Sequence, residues 1–331
     1  MGSVMKVSIT GGSGFIGKFL CEALVLDGHA VTLLSRKQTV EGHATVVLGD
    51  LLDNTESLDT FVADCDVIYH CAGEINNTAL MHGLHVKGTA HLLAAVQRRI
   101  RRTGRPVHWV QLSSTGAYGA QADKEAIDES CQPAPVGDYE VTKTISDELV
   151  LSFAACEPLF TCTLLRPSIV IGPTMPNQSF FQLAGMVKKR LFFYIGNRHE
   201  NVSTYIHVRD VVEAMLLCGT DARAIGETFI LSNDCAQASV IEAFAHHVGV
   251  AVPRLQLPEK LIRFIIRMTP SFVRLPLTAP RVDALVKKGG YDSGHICRTL
   301  DFSFKSTVPE SVPDVLNSKF PAVSKASGRL T

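Results

Sequence analysis

Neither sign of charge is in excess in this chain: 32 lysines and arginines stand against 32 aspartates and glutamates in 331 residues. No global field therefore draws it to nucleic acid or to an anionic surface. Its nine cysteines contain no C-x-x-C step and no metal-ligand spacing, so neither a metal site nor a dithiol centre is expected. Most lie in apolar stretches such as Val67-Ile68-Tyr69-His70-Cys71, where cysteine is usually a small buried hydrophobe. Reduced thiols in a cytoplasmic protein are the expectation. No apolar run approaches the roughly 18 residues of a membrane-spanning helix, and no secretory signal precedes the first strand. Internal repeats and low-complexity tracts are missing too.

What is present is an alternation of short β-branched runs with longer amphipathic stretches, the pattern of βαβ units and an α/β fold with a parallel sheet. Strands are predicted at Val7–Thr10, Ala30–Leu34, Thr45–Leu48, Val67–Tyr69, Val107–Leu112 and Cys162–Leu165. Helices are predicted at Phe15–Leu26, Thr89–Arg101 and from Tyr139 to about Ala155. Beyond Pro173, prolines and glycines interrupt the pattern, and helices near 179–190, 209–218, 239–248 and 259–268 alternate with short strands. The chain thus divides into residues 1–173, a nucleotide-binding half, and residues 174–331, mainly a substrate-binding lobe interleaved with the last strands of the sheet.

Thr10-Gly11-Gly12-Ser13-Gly14-Phe15-Ile16-Gly17 leaves an apolar strand and opens an apolar helix. Glycine at 11, 14 and 17 suits a tight turn, close approach of a pyrophosphate and helix-on-strand packing. The helix start at Phe15 and Ile16 offers free N–H groups and a positive dipole end to phosphates. Asp50, before Leu51 at the end of the third strand, is placed to accept from an adenine amino group. Ala72, after the fourth strand, is small enough for the cofactor to pass close to the backbone. An ordinary strand-end turn is the other reading at either position. The second strand ends Leu34-Ser35-Arg36-Lys37, with cations where an NAD enzyme carries an acid for the ribose hydroxyl. Arg36 therefore favours NADP(H), with NAD(H) left open.

Ser114 follows the 107–112 strand, and Tyr139-x-x-x-Lys143 opens the next long helix. Free tyrosine has a pKa near 10 and is a poor base at neutral pH. Lys143, four residues on and on the same helix face, is placed to stabilise the phenolate, together with an oxidised nicotinamide's positive charge. Ser114 would hold the substrate oxygen for Tyr139. The set implies redox chemistry at a C–OH/C=O carbon.

With these motifs the chain resembles the extended short-chain dehydrogenase/reductase family of the NAD-dependent epimerase/dehydratase type, over nearly its full length. Ser113-Ser114-Thr115-Gly116-Ala117-Tyr118-Gly119, Pro135 to Lys143, Leu165-Arg166-Pro167-Ser168-Ile169-Val170-Ile171-Gly172-Pro173 and Tyr205-Ile206-His207-Val208-Arg209-Asp210-Val211 carry the resemblance. It implies a Rossmann-type doubly wound sheet with a small C-terminal lobe, and Ser114, Tyr139 and Lys143 as catalytic. It also implies Tyr139, Lys143 and Pro167 among the cofactor contacts, and a homodimer packed through the Thr89–Arg101 and catalytic helices. A nucleotide-linked sugar, reduced as the 4-ketone or epimerised at C4, is the substrate the resemblance favours.

The departures point elsewhere. Family dehydratases place Asp-Glu after the catalytic hydroxyl residue, where this chain has Thr115-Gly116, so elimination is disfavoured. Ser168 and Ser203 stand where sugar-nucleotide epimerases often use Asn and Arg on the phosphates, with Arg198, Arg254 or Arg298 as candidate substitutes. These losses favour a second reading, a reductase or dehydrogenase of a lipophilic alcohol or ketone such as a sterol or flavonoid. A third, a non-catalytic dinucleotide-sensing protein, has no need of Ser114, Tyr139 and Lys143. His85, where the family has Asn, is read as a structural replacement or an added proton carrier.

Two further runs carry charge. Arg98-Arg99-x-Arg101-Arg102 with Arg105 sits at a helix C-terminus and is read as a solvated helix end. Leu257 to Met268 is apolar with Lys260, Arg263 and Arg267 at helical spacing. An ordinary lobe helix is the preferred reading there, and a membrane-surface helix the other.

Overall fold

β-Branched runs that alternate with amphipathic stretches bury both faces of a parallel sheet, because each crossover helix must cover the strands it joins. The computed structural model describes residues 4–38, 44–53, 56–119, 126–268 and 278–321. Its central sheet has seven parallel strands: β1 (Lys6–Thr10), β2 (Ala30–Ser35), β3 (Thr45–Leu48), β4 (Val67–His70), β5 (Val107–Leu112), β6 (Phe160–Pro167) and β7 (Thr228–Leu231). Their order is β7-β6-β5-β4-β1-β2-β3. The order reverses between β1 and β4, the switch point where ligands bind in such sheets. This is the Rossmann-type doubly wound fold expected from the sequence.

One sheet face is covered by α1 (Phe15–Leu26) and, after the crossover, the helix Val208–Thr220. Ile9, Leu20, Leu24, Val110, Val211 and Phe229 pack in that layer. The other face is covered by α2 (Glu56–Val62), α3 (Gly88–Thr103) and α4 (Asp138–Cys156), over Leu58, Leu92, Val96, Trp109 and Leu164. Each fully buried side chain of this size contributes about 1.5–3 kcal/mol.

A third apolar cluster lies outside the sheet. It joins α5 (Ser179–Lys188), α7 (Gln237–Val248) and α11 (Val308–Leu316), with α6 given to Val208–Thr220. Phe180 and Phe244 meet edge to face at 4.8 Å within it. Two-stranded pairs tie this region to the sheet, such as Tyr205–His207 with Ile169–Ile171. The chain between them also holds α8 (Glu259–Met268), α9 (Ala279–Leu285) and α10 (Gly294–Leu300).

Several elements escaped the sequence pattern, among them β7, α9 and α10 and the three that follow. α2 is only two turns long. A π-helical turn, His82–Lys87, runs straight into α3. α11 contains Pro309 and Pro313, which argue against a helix. Pro309 falls in the first turn, where its missing N–H costs nothing, and a Thr307/Glu310 capping box fixes the start.

The arginine run is not uniformly solvated. Arg98 pairs with Asp59 and Arg105 with Asp66, but Arg99 is fully buried. It donates to the carbonyls of Cys65, Arg105 and Pro106. Those carbonyls lie at loop ends with no ladder partner, so a cation inside the fold serves them better than water.

Candidate active site

β1 must turn sharply into α1 at the switch point, and Gly11 does so with φ +68°, in the left-handed region that favours glycine. A Cβ on Gly11 would lie 2.7 Å from the Ala72 nitrogen, and one on Gly17 would lie 2.2 Å from the Gly11 oxygen. Both positions therefore admit no side chain. Gly14 caps α1 without a side-chain hydrogen bond, so the first N–H groups of the helix have no intrahelical acceptor. Ser13 and Gly14 are exposed there, and Phe15 and Ile16 are half-buried. This cradle fits a dinucleotide's pyrophosphate.

The other cofactor candidates ring the same strand ends. Ala72 donates its N–H to Thr10 Oγ1 at 3.3 Å, and Leu51 is buried with its carbonyl 2.9 Å from His91 Nδ1. Asp50 is half-buried and accepts from the Leu52 N–H at 2.9 Å, so it closes a strand-end turn. Arg36 is exposed just past β2, and Pro167 is buried at the end of β6.

Ser114 and the Tyr139/Lys143 pair follow β5, on the far side of β4 from β1. Ser114 caps the 3₁₀ turn Thr115–Tyr118 and accepts from the Gly116 N–H at 3.1 Å, which leaves its hydroxyl proton free to donate. Tyr139 lies in the first turn of α4 and Lys143 one turn further. Lys143 is buried and donates to the Leu112 carbonyl, which closes β5. Burial pushes the Lys143 pKa down, opposed by Asp147 and Cys71.

Tyr139 departs from the expectation of a lowered phenol. Its pKa is pushed up to about 12 by burial and by the carboxylates of Glu140 and Asp147. The Lys143 ammonium is held by a backbone carbonyl, while two acids stand on the tyrosine's own helix. Burial and the two acids therefore favour the protonated phenol. Glu140 also crosses the turn that Ser114 caps: a Cβ on Gly116 would meet Glu140 Cγ at 2.6 Å and Ser114 Oγ at 3.3 Å.

Two buried networks hold these groups. Asp147 Oδ2 accepts from Ser113 Oγ at 2.6 Å and from Arg166 Nη2 at 3.1 Å. Arg166 Nη1 in turn donates to the Tyr118 hydroxyl at 3.0 Å. In the second network Thr89 Oγ1 must donate its one proton to the His85 carbonyl at 2.6 Å. His70 Nε2, 3.0 Å from that oxygen, is then the donor, and Nδ1 accepts from Thr10 Oγ1 at 2.7 Å. Ser146 bridges Thr89 and Gln111 at 2.9 Å each. The chain of hydroxyls thus pins β1, β4, β5, α3 and α4 together behind the cofactor cradle.

His85 belongs to this scaffold. Its Nε2 accepts from the Glu74 N–H at 2.9 Å and Nδ1 faces Thr142 Oγ1 at 2.8 Å. Its ring meets Tyr139 edge to face at 5.5 Å. Burial and Lys143 hold its pKa down near 4. With both ring nitrogens engaged and protonation disfavoured, the structural reading holds over that of a proton carrier. Sequence reasoning missed Asp147, Ser146 and His70 as members of the site. The first two had a signal, since they follow Lys143 at helical spacing on a buried face.

Among the described residues no group of His, Cys, Asp and Glu is arranged to hold a metal. All nine cysteines are free thiols. No helix of the described residues is long and apolar enough to cross a membrane.

A glycine cradle at the switch point of a doubly wound sheet, facing a serine and a Tyr-x-x-x-Lys helix, defines a dinucleotide-dependent oxidoreductase or epimerase. The chain belongs to the NAD dependent epimerase/dehydratase family, whose sequence model matches residues 7–231. It is 30% identical over 239 residues, 69% of this chain and 68% of the relative, to the 4-hydroxy-2-methyl-3-oxo-4-farnesyl-3,4-dihydroquinoline-1-oxide ketoreductase of Stigmatella aurantiaca. It is 29% identical to the 2-alkyl-3-oxoalkanoate reductase of Stenotrophomonas maltophilia, over 89% of this chain and 83% of that one. Among solved structures, the UDP-glucose 4-epimerase of Thermotoga maritima with UDP-glucose superposes with a TM-score of 0.72 at 18% identity, covering 95% of this chain and 98% of the other.

Proposed function

We propose that this protein is an NADP(H)-dependent reductase, reversible to a dehydrogenase, acting on a carbonyl or alcohol carbon of a lipophilic molecule. The observation that carries the choice of substrate lies at Ser168 and Ser203. Ser168 is buried, and its hydroxyl donates to Ser232 Oγ at 2.7 Å, because the single Ser232 proton goes to the Asp234 carboxylate. Ser203 is buried in a strand pair with Cys235. Ser168 and Ser232, their protons spent beside an acid, offer a diphosphate neither charge nor a free donor, and Ser203 offers it no charge. The names of the two curated relatives support the same class, since both reduce ketones on largely hydrocarbon molecules.

In this reading Tyr139 gives the proton to the carbonyl oxygen and Ser114 donates a hydrogen bond that fixes that oxygen. Lys143, one turn along the same helix, would favour the phenolate left behind once cofactor and substrate are bound. Gly11 to Gly17 would hold the pyrophosphate, Asp50 or Leu51 the adenine side, and Ala72 and Pro167 the walls nearest the nicotinamide. The cofactor supplies the hydride. Arg36 and Lys37, both exposed, would meet a 2′-phosphate. The lobe after residue 173 covers the substrate, and a homodimer through α3 and α4 draws support from the exposed Val141 and Leu151 on α4. A cytoplasmic location completes the proposal.

Arg198 and Arg254 have no carboxylate partner among the described residues, and Arg254 is exposed. They keep a second reading in play, a nucleotide-linked sugar epimerised or reduced at C4. The deciding measurement is the dinucleotide recovered from the purified protein, with a thermal shift by UDP. An empty site that binds NADPH reversibly, with no UDP stabilisation, is expected. Retained NAD together with stabilisation by UDP would establish the epimerase instead.

A further inference from the structure

A helix that packs by one face and is wet on the others should carry polar residues on the wet faces. α8 does not. It packs through Ile262 and Ile266 against Ile195, Val282 and Leu285. Leu261, Phe264, Ile265 and Met268 recur at i, i+3, i+4 and i+7 and form a second apolar stripe, exposed by 45%, 60%, 45% and 65%. Lys260, Arg263 and Arg267 share the remaining face.

We propose that the exposed stripe of α8 beds into the surface of an anionic phospholipid bilayer, with Lys260 and Arg267 at the headgroups. The charge on the page selects this occupant. Arg263 is tied down by Glu259 and Asp283 at 2.8 and 2.7 Å. Lys260 and Arg267 have no carboxylate partner among the described residues. Two uncompensated cations beside an apolar stripe match a surface that is apolar within and negative at its edge. A second copy fits worse, because a twofold contact sets each patch against itself and brings the cations together. Ten residues of helix also present far less area than a stable dimer uses. The neutral net charge of the whole chain does not oppose this, since the attraction acts over about one Debye length.

The test is co-flotation of the full chain with vesicles of phosphatidylcholine containing 30% phosphatidylglycerol. The wild type floats with these vesicles, and less with phosphatidylcholine alone. Phe264→Ser with Met268→Ser lowers the partition coefficient at least about tenfold, without lowering the melting temperature, since both side chains are already exposed. Lys260→Gln with Arg267→Gln lowers it about 25-fold on anionic vesicles, at about fivefold per cation, and little on neutral ones. No flotation of the wild type would overturn the proposal. So would flotation indifferent to the serine pair, or a wild-type dimer that the serine pair dissociates.

Discussion

Tyr139 and Glu140 are neighbours in sequence and opposed in charge preference. The carboxylate of Glu140 is one of the causes that hold the phenol high, and a high phenol keeps its proton for a ketone. Activity in the reducing direction should therefore fall only as pH rises through the phenol's pKa. Glu140→Gln removes a negative neighbour, lowers that pKa and moves the alkaline limb of kcat/KM to lower pH. A profile of NADPH oxidation against pH reads the shift. Tyr139→Phe in the same assay should lower the rate by about 10²–10⁴-fold while NADPH still binds. An unmoved limb in Glu140→Gln would assign Glu140 to packing alone.

At the level of elements, the cradle and the buried pair behind it make opposite demands. Gly17→Ala sets a methyl 2.2 Å from the Gly11 oxygen. The loop must move, so dinucleotide binding should be lost in a fluorescence titration, with about 1–3 kcal/mol of stability. Asp147→Ala leaves Arg166 charged and buried without its partner, which costs about 3–5 kcal/mol in urea unfolding. Most of this architecture was legible. Phe15–Leu26, Thr45–Leu48 and Val107–Leu112 begin and end where periodicity and glycine placed them. The phosphate loop reads locally, because turn, glycine and helix start are contiguous. The network of Thr10, His70, Thr89 and Ser146 does not, because its members come from four elements and meet only once the sheet has formed. The fate of Ser168 was hidden for the same reason: its partner Ser232 lies 64 residues on.

Across the whole molecule, His70 and His85, two of the buried histidines, carry much of the fold's response to acid. Burial holds His70 near 3 and His85 near 4, against about 6.5 in an unfolded chain. The unfolded state therefore takes up protons first as pH falls below about 6.5. Stability is full above that value and declines toward pH 4 and then 3. The loss should be on the order of a few kcal/mol between pH 7 and 5, seen as an earlier urea midpoint. His70→Gln, which cannot titrate there, should flatten part of the slope.

The seventh strand has a further consequence for how the chain is made. β7 pairs with β6 through Thr228–Leu231, while the intervening residues leave the sheet to build α5 and other parts of the lobe. A nascent chain on the ribosome therefore carries β6 as an open, apolar edge until some sixty residues more have been translated. Synthesis stalled in that interval would expose a strand that invites pairing with another chain.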